Sequence, residues 1–288
     1  MTKNWNYRSA CNTIAFDNGH GDDAMATDAL DELDFGTLST LDVLGTKIEL
    51  FTAGDGPPLL FLHGIDGIEG SAPLLRELAG AFTVHAPSHP GFGTSDQPRN
   101  LNRVDDLGYF YLDLMDVLGL DRPVIVGSSF GGWVAAEIAT KAPERVATLI
   151  LASPFGLRTA DRREQHVADI FMLSRQELNI RLNRQEPALS SLPEDRLRRT
   201  MRNDEALSRY GWTPYMHNPK LADRLHRVTC PTLIAWGEED AIIGPAYRQA
   251  YAAALPKADV AVIEAAGHRL HADRPEALSA HIAAFAGR

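Results

Sequence analysis

The sequence predicts an α/β fold: a mostly parallel sheet of about eight strands, flanked by helices and interrupted by an inserted helical lid. Three observations predict it. Strand and helix patterns alternate from about residue 37 onward, which implies right-handed crossovers and a parallel sheet. The alternation stops over residues 157–226, a helical, arginine-rich stretch with several prolines. It then resumes to the C-terminus, so the helical block is best explained as an insertion into one domain.

The predicted core covers residues 37–156 and 227–288. Strands are expected at Leu38–Leu44, Thr46–Thr52, Pro58–His63, Phe82–Ala86, Pro123–Val126, Val146–Ala152, Thr232–Trp236 and Asp259–Glu264. The first two are joined by a turn at Gly45, and the third is an unalternating apolar run (PLLFLH) typical of a strand buried on both faces. Helices are expected at Ser71–Leu78, with its serine as the cap, and at Val104–Leu118, Phe130–Lys141, Pro245–Ala254 and Arg274–Phe285.

Residues 1–36 are predicted to form an acidic N-terminal arm, which we interpret as a mobile tail or a loosely docked segment. They show no period of 2 or 3.6 residues, and only Lys3 and Arg8 offset their acids. The acids are Asp17, Asp22, Asp23, Asp28, Asp31, Glu32 and Asp34. A docked helix over residues 24–34 is the alternative.

Composition excludes several classes of protein. With 44% hydrophobic and 23% charged residues, the 288-residue chain is not mostly disordered. Its formal net charge of −10 gives a nucleic-acid role no electrostatic support. Cys11 and Cys230 are too few for a disulfide framework or a cysteine metal site. No apolar run approaches the roughly 20 residues of a membrane span, and the N-terminus lacks the apolar segment of an export signal. We therefore expect a cytoplasmic protein with no membrane or nucleic-acid partner.

A candidate nucleophile lies at the turn between a strand and a helix. Residues 127–131 (GSSFG) fit the pattern G-x-S-x-G, which places a serine on a sharp, strained turn. Glycines two positions before and after Ser129 leave room for that turn. The helix N-terminus carries partial positive charge, which favours negative charge developing there. A glycine-rich turn in which serine only caps the helix is the alternative, but the flanking strand and helix favour a nucleophile.

A serine nucleophile needs a base, and the base needs an orienting carboxylate. Among the ten histidines, His268 follows a predicted strand directly and so lies at the same sheet edge as Ser129. His271 is the reserve candidate. Asp240 also follows a predicted strand and is the candidate acid, with Glu238 and Glu239 as neighbouring alternatives.

The order nucleophile, acid, histidine, together with five sequence segments, resembles the α/β-hydrolase superfamily from about residue 37 to the C-terminus. The segments are FLHG (61 to 64), SHPGFGTSD (88 to 96), GSSFGG (127 to 132), WGEED (236 to 240) and GHRLHADRPE (267 to 276). The resemblance implies a catalytic triad of Ser129, Asp240 and His268. It also implies that the backbone N–H groups of Phe130 and Ile65 form an oxyanion hole.

Two further groups of residues are predicted to bind substrate and to lie at the surface. An apolar substrate pocket beneath the lid is predicted from Trp133, Phe171, Met172, Trp212, Tyr215 and Met216. The lid arginines Arg196, Arg198, Arg199 and Arg202 are interpreted as a solvated helix face, with binding of an acidic substrate as the less favoured alternative. No Walker loop, His-Glu-x-x-His motif or cysteine cluster occurs, so we expect neither a metal nor a cofactor.

The sequence therefore predicts a serine hydrolase that cleaves an ester or similar acyl bond of a small, largely apolar substrate. One alternative is a carbon–carbon bond hydrolase of the vinylogous diketone type. Those enzymes usually carry an aromatic residue after the catalytic histidine and Asn before the nucleophile, where this chain has Arg269 and Ser128. The second alternative is a ligand-binding or signalling protein whose triad turns over slowly. A homodimer is left open.

Overall fold

The computed structural model describes residues 31–158, 167–184 and 189–287. One sheet is formed by β1 (Thr37–Val43), β2 (Thr46–Ala53), β3 (Pro58–Leu62), β4 (Thr83–Pro87), β5 (Val124–Ser128), β6 (Thr148–Ala152), β7 (Thr232–Gly237) and β8 (Ala258–Ile263). The strand order is β1-β2-β4-β3-β5-β6-β7-β8. β2 pairs antiparallel with β1 and β4, and every other neighbouring pair is parallel. The predicted fold class, a mostly parallel eight-stranded sheet with flanking helices, is confirmed.

Helices cover both faces of the sheet. They are α1 (Ala72–Ala79), α2 (Val104–Val117), α3 (Phe130–Lys141), α4 (Arg175–Arg181), α5 (Glu194–Gly211), α6 (Leu221–Arg224), α7 (Pro245–Ala254), α8 (Leu270–Asp273) and α9 (Pro275–Ala286). One apolar layer includes residues of α2, α3 and α7, and the other includes residues of α1, α8 and α9. Every residue of β5 and β6 is buried, because both faces of these central strands are covered. None of the helices in the described residues is long and apolar enough to cross a membrane.

The predicted core elements recur with bounds shifted by at most two residues. One detail of the prediction is wrong. Ser71 precedes α1, but its hydroxyl donates to the carbonyl oxygen of Gly67 at 3.0 Å and caps nothing. The short helix α8 was not predicted, because a single helical turn leaves too few residues to show a period.

The last residues of the acidic arm, 31–36, pack on the core, and residues 1–30 lie outside the described residues. Leu33 is buried. The ring of Phe35 lies edge-on to that of Phe51, with centroids 5.0 Å apart. Arg76 lies over the Phe35 ring and pairs with Asp34 at 2.8 Å. These residues therefore contribute apolar burial to the core.

The segment between β6 and β7, here called the inserted segment, contains α4, α5 and α6. Its longest helix, α5, docks on the core through polar contacts. Arg199 is only 8% exposed and donates to both carboxylate oxygens of Glu49 at 2.8 Å. Arg202 donates to the carbonyl oxygens of Gly93 and Ser95 at 2.7 Å each. The interpretation of these two arginines as a solvated face is therefore wrong, because each reaches back to the core.

Candidate active site

Ser129 occupies a strained turn between β5 and α3. Its φ of 55° and ψ of −113° lie outside the regions that L-residues favour, which costs of order 1–3 kcal/mol. The turn is possible because its neighbours are glycines. A Cβ on Gly131 would lie 2.0 Å from the carbonyl oxygen of Leu62 in β3. The tight approach of α3 to β3 therefore lifts the Ser129 hydroxyl clear of the sheet.

Ser129, His268 and Asp240 form one hydrogen-bonded chain at the carboxyl edge of the sheet. Ser129 Oγ lies 2.8 Å from His268 Nε2, and His268 Nδ1 lies 2.9 Å from Asp240 Oδ2. The carboxylate partner assigns the proton to Nδ1, so Nε2 accepts from the serine hydroxyl. The three side chains are almost fully buried.

Asp240 is held as a carboxylate by its surroundings. Its Oδ1 accepts the backbone N–H groups of Ile242 and Ile243 at 2.9 Å each. Burial alone would raise the pKa of Asp240, but His268 and the two N–H groups outweigh it and lower the pKa. The alternative acids, Glu238 and Glu239, are exposed.

The loop after β3 passes directly beside Ser129. A Cβ on Gly64 would lie 3.2 Å from Ser129 Cβ and 3.7 Å from Ser129 Oγ. The backbone N–H of the next residue, Ile65, is one proposed oxyanion donor. The other is that of Phe130, the first residue of α3.

Two buried histidines hold this loop. His63 Nε2 accepts the backbone N–H of His89 at 3.0 Å, and His89 Nε2 lies 3.0 Å from the carbonyl oxygen of His63. Burial lowers the pKa of His63 to about 4, so its ring is neutral at pH 7 and can accept. His63 therefore anchors the loop backbone.

An apolar cavity of about 20 Å³ adjoins Ser129. This is about the space of one water molecule. Its walls are Ile65, Ser129, Phe130, Phe155, Ile170, Leu178, Leu182, Leu207, Ile242 and His268. Four of them, Ile170, Leu178, Leu182 and Leu207, come from the inserted segment, so that segment closes over the serine.

None of the six residues predicted to bind substrate lines this cavity. Trp133 and Met216 are buried elsewhere, and Trp133 Nε1 donates to Glu137 at 3.3 Å. The ring of Phe171 packs against those of Trp212 and Tyr215.

Met172 and Trp212 are 75% and 59% exposed, so this part of the predicted pocket is surface. The aliphatic residues that do line the cavity were missed. Leu178 and Leu182 are four residues apart, a spacing that places both on one helix face.

His271, the reserve candidate for the base, does not contact Ser129. Its Nδ1 lies 3.0 Å from the hydroxyl of the neighbouring Ser128. Among the described residues, no group of His, Cys, Asp and Glu side chains is arranged to hold a metal ion. The reactive groups that line the cavity are the Ser129 hydroxyl and the His268 imidazole, and the Asp240 carboxylate lies behind the imidazole.

Comparison with known proteins identifies the family and the fold. A sequence model of the alpha/beta hydrolase family matches residues 59–281. The dihydrolipoyllysine-residue acetyltransferase component of the acetoin cleaving system of Cupriavidus necator is 32% identical over 258 residues, covering 86% of this chain and 67% of that protein. The 2-hydroxy-6-oxo-6-phenylhexa-2,4-dienoate hydrolase of Burkholderia cepacia is 26% identical over 258 residues, covering 81% and 89%. The structure of naproxen esterase from Bacillus subtilis superimposes with a TM-score of 0.69 at 19% identity, covering 89% and 94%.

Proposed function

Because the chain belongs to the alpha/beta hydrolase family, we propose that it is a serine hydrolase that cleaves an ester or similar acyl bond of a small, largely apolar substrate. The observation that supports this is the chain of hydrogen bonds, 2.8 Å and 2.9 Å long, from Ser129 through His268 to Asp240. The serine at its end is strained and adjoins an apolar cavity.

In the proposed mechanism, Ser129 Oγ attacks the acyl carbon while His268 Nε2 takes the hydroxyl proton. Asp240 keeps the imidazole oriented and stabilises its charged form. The N–H groups of Phe130 and Ile65 hold the negative charge of the tetrahedral intermediate, and losing one such donor typically costs about 3 kcal/mol. His268 then protonates the leaving group, and water releases the acid from Ser129.

The inserted segment acts in this proposal as a lid. The cavity that it covers is small, about 20 Å³, and in this proposal the segment moves aside to admit the acyl group. Its aliphatic residues Leu178, Leu182 and Leu207 then contact the acyl chain and favour apolar substrates.

A carbon–carbon bond hydrolase is the second candidate. The relative from Burkholderia cepacia, named for a hexadienoate substrate, favours it. Arg269 and Ser128 stand where such enzymes usually have an aromatic residue and Asn, which favours acyl hydrolysis instead.

The test measures purified protein on p-nitrophenyl esters of increasing chain length, beside a vinylogous diketone. We expect turnover of the esters, lost in Ser129→Ala. Cleavage of the diketone with negligible ester turnover would favour the second candidate. Binding of both compounds without turnover would favour a ligand-binding protein.

A further inference from the structure

A second Ser–His–Asp chain lies beside the first. Ser128 Oγ is 3.0 Å from His271 Nδ1, and His271 Nε2 is 3.5 Å from Asp66 Oδ2. All three side chains are buried: Ser128 and His271 are 1% and 2% exposed, and the Asp66 side chain is 7% exposed. Ser128 ends β5, where it is in register with Ala152 of β6. It does not line the cavity at Ser129, so this second chain needs another explanation.

Asp66 is the most heavily bonded member of this chain. Its Oδ2 accepts from Arg269 Nε at 2.5 Å, and its Oδ1 accepts from Arg184 Nη1 at 2.6 Å. Burial alone would raise the pKa of Asp66, but His271 and the two guanidinium groups hold it well below its usual range. Asp66 is therefore a buried anion at neutral pH.

His271 completes the network as a neutral ring. Burial lowers its pKa, although Asp66 opposes the shift. With an anion 3.5 Å from Nε2, the neutral ring is expected to carry its proton on Nε2, where the contact with Asp66 is electrostatic and not a hydrogen bond. Nδ1 then accepts from the Ser128 hydroxyl. The chain thus joins the strand end at Ser128 to the loop that contains Asp66.

Asp66 connects three parts of the proposed active site: the loop that carries Ile65, the loop that carries His268, and the inserted segment. Asp66 directly follows Ile65, and Arg269 directly follows His268. Arg184 belongs to the inserted segment. The loop's own backbone bonds are long: Gly67 N–H to Gly64 O and Gly70 N–H to Asp66 O are each 3.3 Å. The histidines hold the start of the loop, with His63 Nδ1 2.6 Å from Gly64 O. The Asp66 carboxylate adds the charged contacts on the far side of Ile65.

We propose that Asp66, held by Arg269 and His271, is a positioning residue that fixes the backbone N–H of Ile65 as an oxyanion donor. The inference rests on the proposed function, since it assigns a support to that oxyanion hole. A donor is effective only when it lies about 2.7–3.1 Å from the developing oxyanion. A small displacement of the loop should therefore weaken binding of the transition state more than binding of the substrate.

The test is Asp66→Asn, which keeps the shape of the side chain and removes its charge. We expect kcat for a p-nitrophenyl ester to fall roughly 10- to 100-fold, a part of what losing a whole donor costs. KM should stay within about threefold, and the affinity for a trifluoromethyl ketone that mimics the tetrahedral intermediate should fall by the same factor as kcat.

Glu137→Gln is the matched control. Glu137 is a fully buried acid that accepts from Lys141 at 3.0 Å and Asn218 at 2.7 Å. This variant should lower the melting temperature and leave kcat and analogue affinity within about twofold. An equal loss of kcat in both variants would assign Asp66 a structural role only and overturn the inference.

His271→Gln tests the chain at a second point and replaces Asp66→Asn if that variant does not fold. We expect about a tenfold loss of kcat with the same unchanged KM. The double variant should lose no more than Asp66→Asn alone, because the two residues act as one unit. Unchanged kcat in a folded variant, or fully additive losses, would overturn the inference.

Labelling of the wild-type protein with a serine-directed phosphonate separates the two proposals. If Ser129 is labelled but the Asp66 and His271 variants behave as wild type, only the positioning role is wrong. If Ser129 is not labelled and no ester turns over, the proposed function fails and the inference fails with it.

Discussion

Two Ser–His–Asp chains lie side by side in this molecule, and they differ at the serine: Ser129 lines the apolar cavity, whereas Ser128 does not. Ser129 lies just after the end of β5, has a φ of 55°, and lines the apolar cavity. Ser128, one residue earlier, is still part of β5. The two chains share residue types and a short serine–histidine contact, 2.8 Å in the first and 3.0 Å in the second. The histidine–aspartate distance is 2.9 Å in the first chain and 3.5 Å in the second. Strained backbone and adjacent space therefore distinguish a candidate nucleophile from a structural serine.

The two acids also differ in how their charge is balanced. Asp66 accepts from the guanidinium groups of Arg184 and Arg269, which already neutralise it. Asp240 accepts from His268 and from two backbone N–H groups, which are dipoles and not full charges. Its negative charge therefore remains available to an imidazolium that forms on His268, which a general base requires.

The largest expected effect separates the two serines. Ser129→Ala should lower kcat for a p-nitrophenyl ester by at least about 10³-fold, because no other group can form the acyl-enzyme. Ser128→Ala should lower it by less than about threefold, since its hydroxyl acts only through His271. Mass spectrometry of phosphonate-treated protein should find the label on Ser129 alone. A label on Ser128 would reverse the comparison.

Replacing the two histidines should also lower kcat to different extents, but by a smaller ratio than for the two serines. His268→Ala should cost nearly as much as Ser129→Ala, because the nucleophile and the base act as a unit. His271→Ala should cost only about tenfold in kcat, since it supports the oxyanion loop indirectly. Steady-state kinetics on one ester measures both. If His271→Ala proves crippling and His268→Ala mild, the base has been assigned to the wrong histidine.

The two acids can be compared through acid denaturation. Both carboxyl groups have a folded-state pKa below the ordinary 3.8. Each contributes stability that is present above pH 3.8 and is lost as the pH falls toward its folded pKa. The shift is larger for Asp66, so Asp66→Asn should flatten the loss of unfolding free energy below pH 4 more than Asp240→Asn does. Urea denaturation at a series of pH values measures this, and equal slopes would contradict it.

The smallest effect is expected far from both chains, in the acidic arm. A chain beginning at Gly36 should keep kcat within about twofold, because none of the residues 31–35 lines the cavity at Ser129. Its melting temperature should fall by a few degrees, since the buried Leu33 and the ring of Phe35 are lost. A large fall in kcat would show that the arm completes the pocket or holds a partner subunit.

The cavity walls and the arginine contacts were the parts that sequence reasoning missed. The pocket prediction was based on aromatic residues such as Phe171 and Trp212, but these two pack on each other. The aliphatic Leu178 and Leu182 line the cavity instead. Arg199 looked like a surface residue because acids surround it in sequence, yet its partner Glu49 is 150 residues away. Local patterns carry no information about partners at such separations.

The sequence by itself determined the order of strands and helices, the glycine-flanked turn at Ser129, and the placement of Asp240 and His268 after strands of one sheet. These features follow from local rules: apolar periodicity, the space a sharp turn needs, and the shared edge of parallel strands. The tertiary structure alone decided that His268 reaches Ser129 while His271 reaches Ser128, and that Asp66 joins Arg184 to Arg269. Those contacts link residues 118 to 203 positions apart, so only the packing of the sheet and the inserted segment could select them.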